Sequence, residues 1–458
     1  MTVATTFPGI TVWRTYQRGW LRGDLLAGVT VAASLTPQVM AYAHIAGLPP
    51  AAGLLAIIAP TLVYAVLGSS RQLSVGPEST TALMTATAVA AVGVSGPEAY
   101  AALAAALAVV TGALCILGWA FGLGFLADLF SKPVLVGYLA GVAVLMVVSQ
   151  IDSLTGIEVS GDSMPAEAWS ALTHLSDVHA PTLVLSSTLL VLLLLGSHFF
   201  PRLPNPLLAA LLGAAAVMVL GLDELGVAVV GPLPSALPQL SLPDLSPDAV
   251  ATMLAPALGI AVVAYSDNVL TARAFAERSD QQIDANQEFL ALGVANIAGG
   301  LLSGFPVSSS GSRTAIGASM GSRTQMYSLA TLATVLVAVL ALGPVIAAFP
   351  KAALGALVVY AAIRLVDVAE IRRVARFRRS ELVLLVATTL GVFVFGALYG
   401  ILLAVALSLG DLLRRVARPH DGILGYVRGM AGMHDGDDFP EARPGPGVLG
   451  GRPARPPP

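Results

Sequence analysis

Two polar stretches decide how this sequence folds: Gln72-Leu73-Ser74-Val75-Gly76-Pro77-Glu78-Ser79-Thr80-Thr81 and Gly304-Phe305-Pro306-Val307-Ser308-Ser309-Ser310-Gly311-Ser312-Arg313-Thr314. Each has Pro, Gly and a cluster of hydroxyl side chains ahead of a short apolar segment. Pro suits the first turn of a helix, and Ser or Thr can cap free backbone N–H groups. Irregular backbone at membrane depth is tolerated where it lines a cavity or is buried in protein. Each stretch therefore predicts a short helix that begins inside the protein.

The rest of the composition requires a membrane. Of 458 residues, 56% are hydrophobic and only 11% are charged, whereas soluble domains carry roughly 25% charged residues. The lone cysteine, Cys115, lies in an apolar run and predicts a small buried hydrophobe. The histidines show no metal-ligand spacing, and no Walker, G-x-S-x-G or H-E-x-x-H motif occurs. We predict an all-α membrane protein that is not an enzyme, with no catalytic residues, metal, cofactor or nucleic-acid partner.

A helix needs about 20 apolar residues to cross a bilayer, and the hydropathy pattern predicts fourteen transmembrane segments. They lie at 24–44, 51–68, 76–93, 98–118, 122–151, 180–199, 205–222, 250–272, 286–303, 308–320, 325–346, 351–366, 381–397 and 398–415.

The charges in the loops predict the orientation. The N-terminal segment, the C-terminal end and the even-numbered loops hold nearly all Lys and Arg residues, and the odd-numbered loops hold only Lys351. The loops at 152–179 and 223–249 carry several acids and no base. By the positive-inside rule both termini are cytoplasmic and the two acidic loops are external. This predicts a multi-pass protein of the inner (plasma) membrane.

The spans divide into two sets of seven, and an odd number inverts the second set relative to the first. We assign 1–23 to a cytoplasmic segment, 24–222 to the first inverted repeat, 223–249 to an external loop and 250–415 to the second repeat. The two polar stretches open the third span of each repeat. Half-helices whose N-termini face each other would direct N–H groups and positive dipole ends at one spot, which binds anions. The alternative is two ordinary spans that start late after Pro-containing turns.

Ionisable residues inside spans are candidates for function. Arg313 could supply a positive charge to an anion, or it could pair with a carboxylate or extend to one membrane face. Glu78 would repel an anion unless protonated, so we assign it to proton coupling; it could equally be a helix-start acid paired with Arg313. Asp267 is the candidate for a coupling proton or sodium, with a packing role as the alternative. Gln38 follows Pro37, which we expect to break the first span, and its amide could bind an oxyanion beside Tyr42; both could instead cap that break.

Several motifs occur in the order found in one transporter family. They are Gly23-Asp24-Leu25-Leu26-Ala27-Gly28, Pro37-Gln38-Val39-Met40-Ala41-Tyr42-Ala43, Ala46-Gly47-Leu48-Pro49-Pro50-Ala51-Ala52-Gly53-Leu54, Ser74-Val75-Gly76-Pro77, Lys132-Pro133-Val134-Leu135-Val136-Gly137-Tyr138, Asn296-Ile297-Ala298-Gly299-Gly300, Phe305-Pro306 and Ser310-Gly311-Ser312-Arg313. On these motifs the chain resembles the SulP (sulfate permease) family, which includes solute carrier family twenty-six, over about residues 20–415.

The resemblance implies two inverted repeats of seven spans, a mobile core domain of spans 1–4 and 8–11, and a gate domain of spans 5–7 and 12–14. It also implies elevator-like motion and a homodimer. An anion site would lie between the third and tenth spans. Carried onto this sequence, that site comprises Gln38, Tyr42, Gly76, Pro77, Glu78, Ser310, Gly311, Ser312 and Arg313. Asp267 matches an acidic position often found in the eighth span of the family.

The sequence departs from the family at two places. Glu78 stands where many relatives have an apolar residue, which favours proton coupling over simple exchange or channel activity. A cytoplasmic STAS domain usually follows the last span. Here 416–458 is a Gly- and Pro-rich tail, in which Gly445-Pro446-Gly447-Val448-Leu449 resembles the first strand of a truncated STAS domain. We expect most of the tail to be disordered.

We therefore predict a secondary active transporter of small anions, such as sulfate, bicarbonate or a dicarboxylate like fumarate, which works as a symporter driven by protons. A nucleobase:cation symporter of the same architecture is the first alternative. Asp267 and Glu78 could bind its base, but Arg313 argues against it. An anion channel, or a voltage-responsive structural protein, is the second alternative.

Overall fold

The architecture comes from a computed structural model. It describes residues 7–93, 96–128, 132–157, 159, 164–201, 203–231, 240, 242–243, 245–276, 281–377, 379–417, 421–426, 433–435 and 450–453.

Helices account for nearly all regular structure in the first half of the chain. They are α1 (Pro8–Arg14), α2 (Leu21–Ile45), α3 (Pro50–Leu55), α4 (Ile58–Leu67), α5 (Ser79–Val92), α6 (Pro97–Ala120), α7 (Lys132–Val148), α8 (Ile151–Thr155), α9 (Met164–Thr173), α10 (Ala180–Phe199) and α11 (Asn205–Leu220). Short 3-10 turns lie at Arg18–Trp20, Leu123–Asp128 and Leu175–Asp177, and strand β1 (Val75–Gly76) precedes α5.

The second half repeats this pattern of long and short helices. Its helices are α12 (Pro247–Ala276), α13 (Ala285–Leu301), α14 (Gly311–Ser319), α15 (Met326–Ala347), α16 (Lys351–Leu365), α17 (Val368–Phe377) and α18 (Arg379–Ala417). Strand β2 (Ser308–Ser309) precedes α14, as β1 precedes α5. Helix α18 is interrupted at Gly396, whose φ of 82° lies in the left-handed region that glycine tolerates.

A helix or helix pair occupies each of the fourteen predicted spans. Within the described residues, seven helical segments are long and apolar enough to cross a membrane, and four further apolar helices are shorter. Large apolar side chains are exposed on several of them, for example Val184, Leu340 and Val383. Such surfaces suit contact with lipid chains, and the all-α membrane class is confirmed. The count of fourteen crossings stays a prediction.

Helix α2 corrects one expectation, because it continues through Pro37 from Leu21 to Ile45. Pro removes one intrahelical N–H bond, but transmembrane helices accommodate it when neighbouring groups satisfy the freed carbonyl. One residue away from the Ala33 carbonyl that Pro37 leaves free, the Thr36 hydroxyl donates to the Ala32 carbonyl at 2.8 Å. The prediction that Pro37 breaks the first span was therefore wrong.

Small residues set how closely the helices approach. Helices α6 and α13 cross where Gly112 and Gly293 face each other, and a Cβ on Gly112 would lie 2.5 Å from the Gly293 carbonyl oxygen. Likewise, a Cβ on Gly137 would lie 2.4 Å from the Leu385 carbonyl oxygen. The close-packing role of small residues in membrane helices explains both sites without a function.

The Gly112 contact predicts a large effect on stability. Gly112→Ala is expected to destabilise the fold by about 1–3 kcal/mol, because the methyl group meets backbone that cannot rotate away. Gly343→Ala is a matched control, since a Cβ there has no heavy atom within 4 Å. Thermal unfolding in detergent should show a lower midpoint for Gly112→Ala alone. Equal midpoints for the two variants would contradict the packing account.

The chain divides into two compact units, Met1–Ala404 and Val405–Pro458. The second contains a sheet of order β4-β3-β5, formed by β3 (Asp421–Tyr426), β4 (Met433–Asp435) and β5 (Gly450–Pro453). The expectation of a largely disordered tail was wrong for these segments, because Gly-rich composition does not prevent a short antiparallel ladder. The stretch 445–449, taken as the start of a STAS strand, lies outside the described residues.

Candidate anion site

The two polar stretches meet although more than 200 residues separate them. Strands β1 and β2 pair antiparallel, with Val75 opposite Ser309 and Gly76 opposite Ser308. The Ser310 N–H continues the ladder by donating to the Ser74 carbonyl at 2.9 Å. Helix α5 starts three residues after β1 and α14 starts two residues after β2. Neither stretch is an unbroken helix, and the pairing of β1 with β2 brings the starts of the two short helices together, as the first interpretation expects.

Both short helices are capped by side chains from this crossing. Glu78 is the N-cap of α5, and its Oε2 accepts from the Thr80 N–H at 2.7 Å. Ser310 is the N-cap of α14, and its Oγ accepts from the Arg313 N–H at 3.4 Å. The caps satisfy one N–H each, and the other N-terminal N–H groups add their partial positive charge to the site.

Arg313 is fully buried between the two stretches. Its Nε donates to Ser74 Oγ at 3.2 Å, and its Nη1 donates to the Pro77 carbonyl at 2.9 Å. Its Nη2 is also buried but has no hydrogen-bond partner. A buried guanidinium N–H left without an acceptor costs free energy that a bound anion would recover. Arg313 therefore presents a pre-positioned donor at the crossing.

The partners of Arg313 decide between the readings left open above. Within the described part of the chain, no carboxylate lies within ion-pair distance of its guanidinium, and Glu78 instead accepts from Ser79 and Thr80. Arg313 does not extend to a membrane face either, because it is fully buried. Glu78 is thus a helix-start acid, as one reading had it, but it is not paired with Arg313.

Asp267 joins α12 to the same crossing. Its Oδ2 accepts from Ser309 Oγ at 3.1 Å and lies 3.4 Å from Ser308 Oγ. Its carboxylate interacts electrostatically with Glu78 and Arg313. The structure therefore brings all three charged candidates into one neighbourhood, with hydroxyl groups between them.

The uncharged candidates surround this centre to different degrees. Tyr42 is buried and close enough to interact electrostatically with Glu78 and Arg313. Gln38 lies one helical turn away, and its buried Oε1 has no partner. Gly311 and Ser312 are exposed at the start of α14, whereas Gly76, Pro77 and Ser310 are buried. Ser310 Oγ lies 3.2 Å from Ser312 Oγ. The site thus combines accessible backbone with buried polar groups that lack partners.

Sequence reasoning missed two buried acids that hold this scaffold. Asp24 accepts from the backbone N–H of Arg323 at 2.6 Å and from the Thr324 hydroxyl at 2.7 Å. It also accepts from the Tyr16 hydroxyl at 3.1 Å. Desolvation and the Asp24 charge raise the pKa of Tyr16 to about 12, which keeps the phenol protonated as a donor. The acid in the Gly23-Asp24 motif was the only available signal.

The second acid, Glu288, is fully buried at the start of α13. It accepts from the Tyr64 hydroxyl at 2.8 Å, from the Ser69 N–H at 2.9 Å and from Asn268 Nδ2 at 2.5 Å. Asn268 directly follows Asp267 in α12, so this network helps to fix the position of Asp267 relative to α13. A buried acid with so many donors stabilises the fold through paired hydrogen bonds.

Comparisons with known proteins point to one family. A profile described as the sulfate permease family matches residues 21–388. A probable sulfate transporter of Mycobacterium tuberculosis is 53% identical over 449 residues, which cover 98% of this chain and 80% of that protein. The chloroplastic sulfate transporter 4.1 of Arabidopsis thaliana is 32% identical, covering 96% of this chain and 65% of that protein.

Two solved structures share the fold at 20% sequence identity. The murine solute carrier 26 family member A9 anion transporter, in an inward-facing state, matches with a TM-score of 0.85, covering 96% of this chain and 76% of that one. The transmembrane domain of the bicarbonate transporter BicA from a cyanobacterium matches with a TM-score of 0.77, covering 85% of this chain and 98% of that one. At this identity the likeness concerns the fold alone.

Proposed function

Because the chain belongs to the sulfate permease family, a family of membrane anion transporters and not of enzymes, we propose that it carries sulfate across the membrane by proton symport. Its relatives are described as probable sulfate transporters, which favours sulfate over bicarbonate or a dicarboxylate such as fumarate. One observation of this chain carries the proposal. It is the buried Nη2 of Arg313, which has no hydrogen-bond partner where two short helices begin.

The anion binds where that N–H points. Arg313 Nη2 donates one charge-assisted hydrogen bond, and the accessible backbone at Gly311 and Ser312 supplies further donors. Gln38 and Tyr42 line the other side from α2, where an amide N–H and a phenol O–H can each donate to an oxyanion. A tetrahedral or planar oxyanion would accept from the buried Arg313 Nη2, which has no partner.

The proton is carried by Glu78, with Asp267 as a second coupling group. An ionised carboxylate beside the anion site repels the substrate, whereas a protonated one does not. Anion and proton therefore favour each other's binding, which is the requirement for symport. Asp267 lies behind the Ser308 and Ser309 hydroxyls and could exchange a proton, or a sodium ion, with the same centre.

We further propose an elevator motion in a homodimer of the inner membrane. Spans 1–4 and 8–11, which carry the β1–β2 crossing, would move as a unit past spans 5–7 and 12–14. The basic residues assign both termini to the cytoplasm and the acidic loops to the outside. The two-fold arrangement and the motion rest on the family resemblance.

Uptake into proteoliposomes tests the proposed function. We expect sulfate to enter, and to enter severalfold faster with an inward proton gradient; bicarbonate, chloride, fumarate and uracil serve as competing substrates. Uptake of uracil alone would replace the proposal with the nucleobase alternative. Passive sulfate flux that ignores the proton gradient and does not saturate would indicate a channel.

Gly76→Ala tests the position of the anion without removing a charge. A Cβ on Gly76 would lie 3.6 Å from Arg313 Nη2 and 3.7 Å from Ile57 Cγ2, which are ordinary contact distances. The fold is therefore expected to tolerate the methyl group, while the free donor is covered. We expect sulfate affinity to fall by roughly tenfold, the loss of about one hydrogen bond to a charged group.

The readout for Gly76→Ala is sulfate binding to the purified protein together with its thermal midpoint without sulfate. Gly19→Ala is the control, because a Cβ there meets no heavy atom within 4 Å. An unchanged sulfate affinity in Gly76→Ala would place the anion away from Arg313 Nη2.

A further inference from the structure

A second cavity, separate from the crossing, opens beside the two acidic loops. Its volume is about 1440 Å³, and none of the site residues named above line it. It is lined by α5, α8 and α9, by the ends of α2 and α7, by the first residues of α6, α10 and α16, by the loop after α11 and by the interruption in α18. Ligand pockets for drug-sized molecules span roughly 300–1,000 Å³, so an anion can enter this cavity with much of its water. We call it the outer vestibule.

The outer vestibule contains a lysine in an unfavourable place. Lys351 is the first residue of α16, where the helix dipole is positive and disfavours a cation. Of the described carboxylates, none lies within ion-pair distance of its ammonium group. Helix α10 also begins at the vestibule, with His179 as its N-cap. Two positive helix ends and an ammonium group without an ion-pair partner among the described residues therefore face one space.

Two histidines lie in the same wall. His179 Nε2 is 2.9 Å from the Leu225 carbonyl and must donate to it, while Nδ1 is 2.7 Å from Thr182 Oγ1. Protonation of His179 only requires the Thr182 hydroxyl to turn from donor to acceptor. His44 lies in the last turn of α2, where the dipole favours a cation. Its Nδ1 is buried beside Gln150, whose Oε1 is also buried.

Two acids oppose these bases. Asp152 on α8 and Glu167 on α9 line the vestibule, and Asp152 interacts with both His44 and Glu167. Desolvation and the Asp152 charge raise the pKa of Glu167. The described stretches of α5 and of the loop before α16 add no titratable side chain, and Tyr100 on α6 donates to the Ala46 carbonyl. With neutral histidines the described lining carries a net charge of −1, and with both protonated it carries +1.

We propose that the outer vestibule is a second anion-binding site, in which Lys351 with protonated His44 and His179 holds an oxyanion before it reaches Arg313. The direction in which the anion moves, from the outer vestibule to Arg313, rests on the proposed function. The binding of an anion in the outer vestibule does not depend on that proposal. The charge reversal makes the vestibule attract anions when the external solution is acidic, which is when a proton symporter imports them.

Binding of radiolabelled sulfate to purified protein tests the site directly. In Arg313→Ala the inner site is disabled, so residual binding reports the outer vestibule. We expect this binding in acidic solution and several times less in alkaline solution, because the anion is held only when the vestibule histidines carry protons. Lys351→Gln in the Arg313→Ala background should abolish it. Arg364→Gln, a charge removed from the opposite end of α16, is the matched control and should leave it unchanged.

Uptake by intact cells gives the second readout, because their orientation is fixed. Lys351→Gln alone should raise the KM for external sulfate by roughly 3- to 10-fold, as expected for a partly exposed charge, and leave kcat unchanged. His44→Gln should flatten the dependence of KM on external pH. Arg313→Ala protein without residual binding, or with binding that Lys351→Gln does not change, would overturn the inference. Absence of transport by the wild type would instead refute the proposed function.

Discussion

Arg313→Ala is expected to reduce sulfate affinity by about 100-fold or more, because the anion loses a charge-assisted hydrogen bond and a buried positive charge beside it. The effect is large because Arg313 is fully buried, so water screens its charge and its free Nη2 only weakly. Sulfate binding to detergent-purified protein and initial uptake rates measure the loss.

The same substitution removes two structural hydrogen bonds, to Ser74 and to Pro77, so stability must be separated from binding. Arg313→Lys keeps the positive charge but lacks the planar fork that reaches three acceptors. It should retain more affinity than Arg313→Ala. Only variants that elute as monodisperse protein in size-exclusion chromatography are compared for sulfate affinity. If a folded Arg313→Ala protein binds sulfate as the wild type does, Arg313 is structural.

The second large effect is expected from Glu78→Gln, which should abolish the stimulation of uptake by an inward proton gradient. Glutamine has the same shape, and its amide oxygen can still accept from the Thr80 N–H that Glu78 caps. The substitution thus removes the titrating charge while the start of α5 is kept. Because the neutral side chain resembles the protonated acid, sulfate should still bind and exchange across the membrane.

Glu98→Gln provides the control for that experiment. Glu98 also lies in the first turn of a helix, α6, but it is exposed and remote from the crossing. Its replacement should leave the gradient dependence intact. Glu78 has no part in coupling if Glu78→Gln uptake responds to the gradient as strongly as Glu98→Gln uptake does.

Much of the fold could be predicted because the signals for membrane helices lie within short stretches of sequence. The predicted third span, 76–93, became α5 at Ser79–Val92, and the boundary predicted between 397 and 398 lies beside the interruption at Gly396. Long apolar runs, Pro at helix starts and Gly at breaks act within a few residues. Such signals can be recognised without knowledge of the tertiary structure.

The pairing of β1 with β2 could not be predicted in the same way. Strands of two residues carry no periodicity, and their partners are separated by more than 200 residues. The symmetry of the two polar stretches indicated that they matter together, but not that backbone hydrogen bonds join them. For the same reason the sequence could not choose between a carboxylate, a carbonyl and a ligand as the partner of Arg313.

Other errors came from tertiary context that overrides local propensity. Pro37 reads as a helix break, yet packing around α2 keeps the helix continuous. The outer vestibule could not be predicted from the sequence, because its titratable and charged groups come from five separate segments of the chain. Lys351 was the one signal, as the only base among the loops assigned to the outside.

The most direct test of the account is a crystal structure with selenate, whose selenium gives an anomalous signal at the position of the anion. The account predicts a peak whose oxygen atoms lie within hydrogen-bond distance, roughly 3 Å, of Arg313 Nη2 at the start of α14. A second, weaker peak in the outer vestibule in acidic crystals would fit the further inference. Strong selenate density elsewhere in the protein, with none at the crossing of β1 and β2, would contradict the central claim.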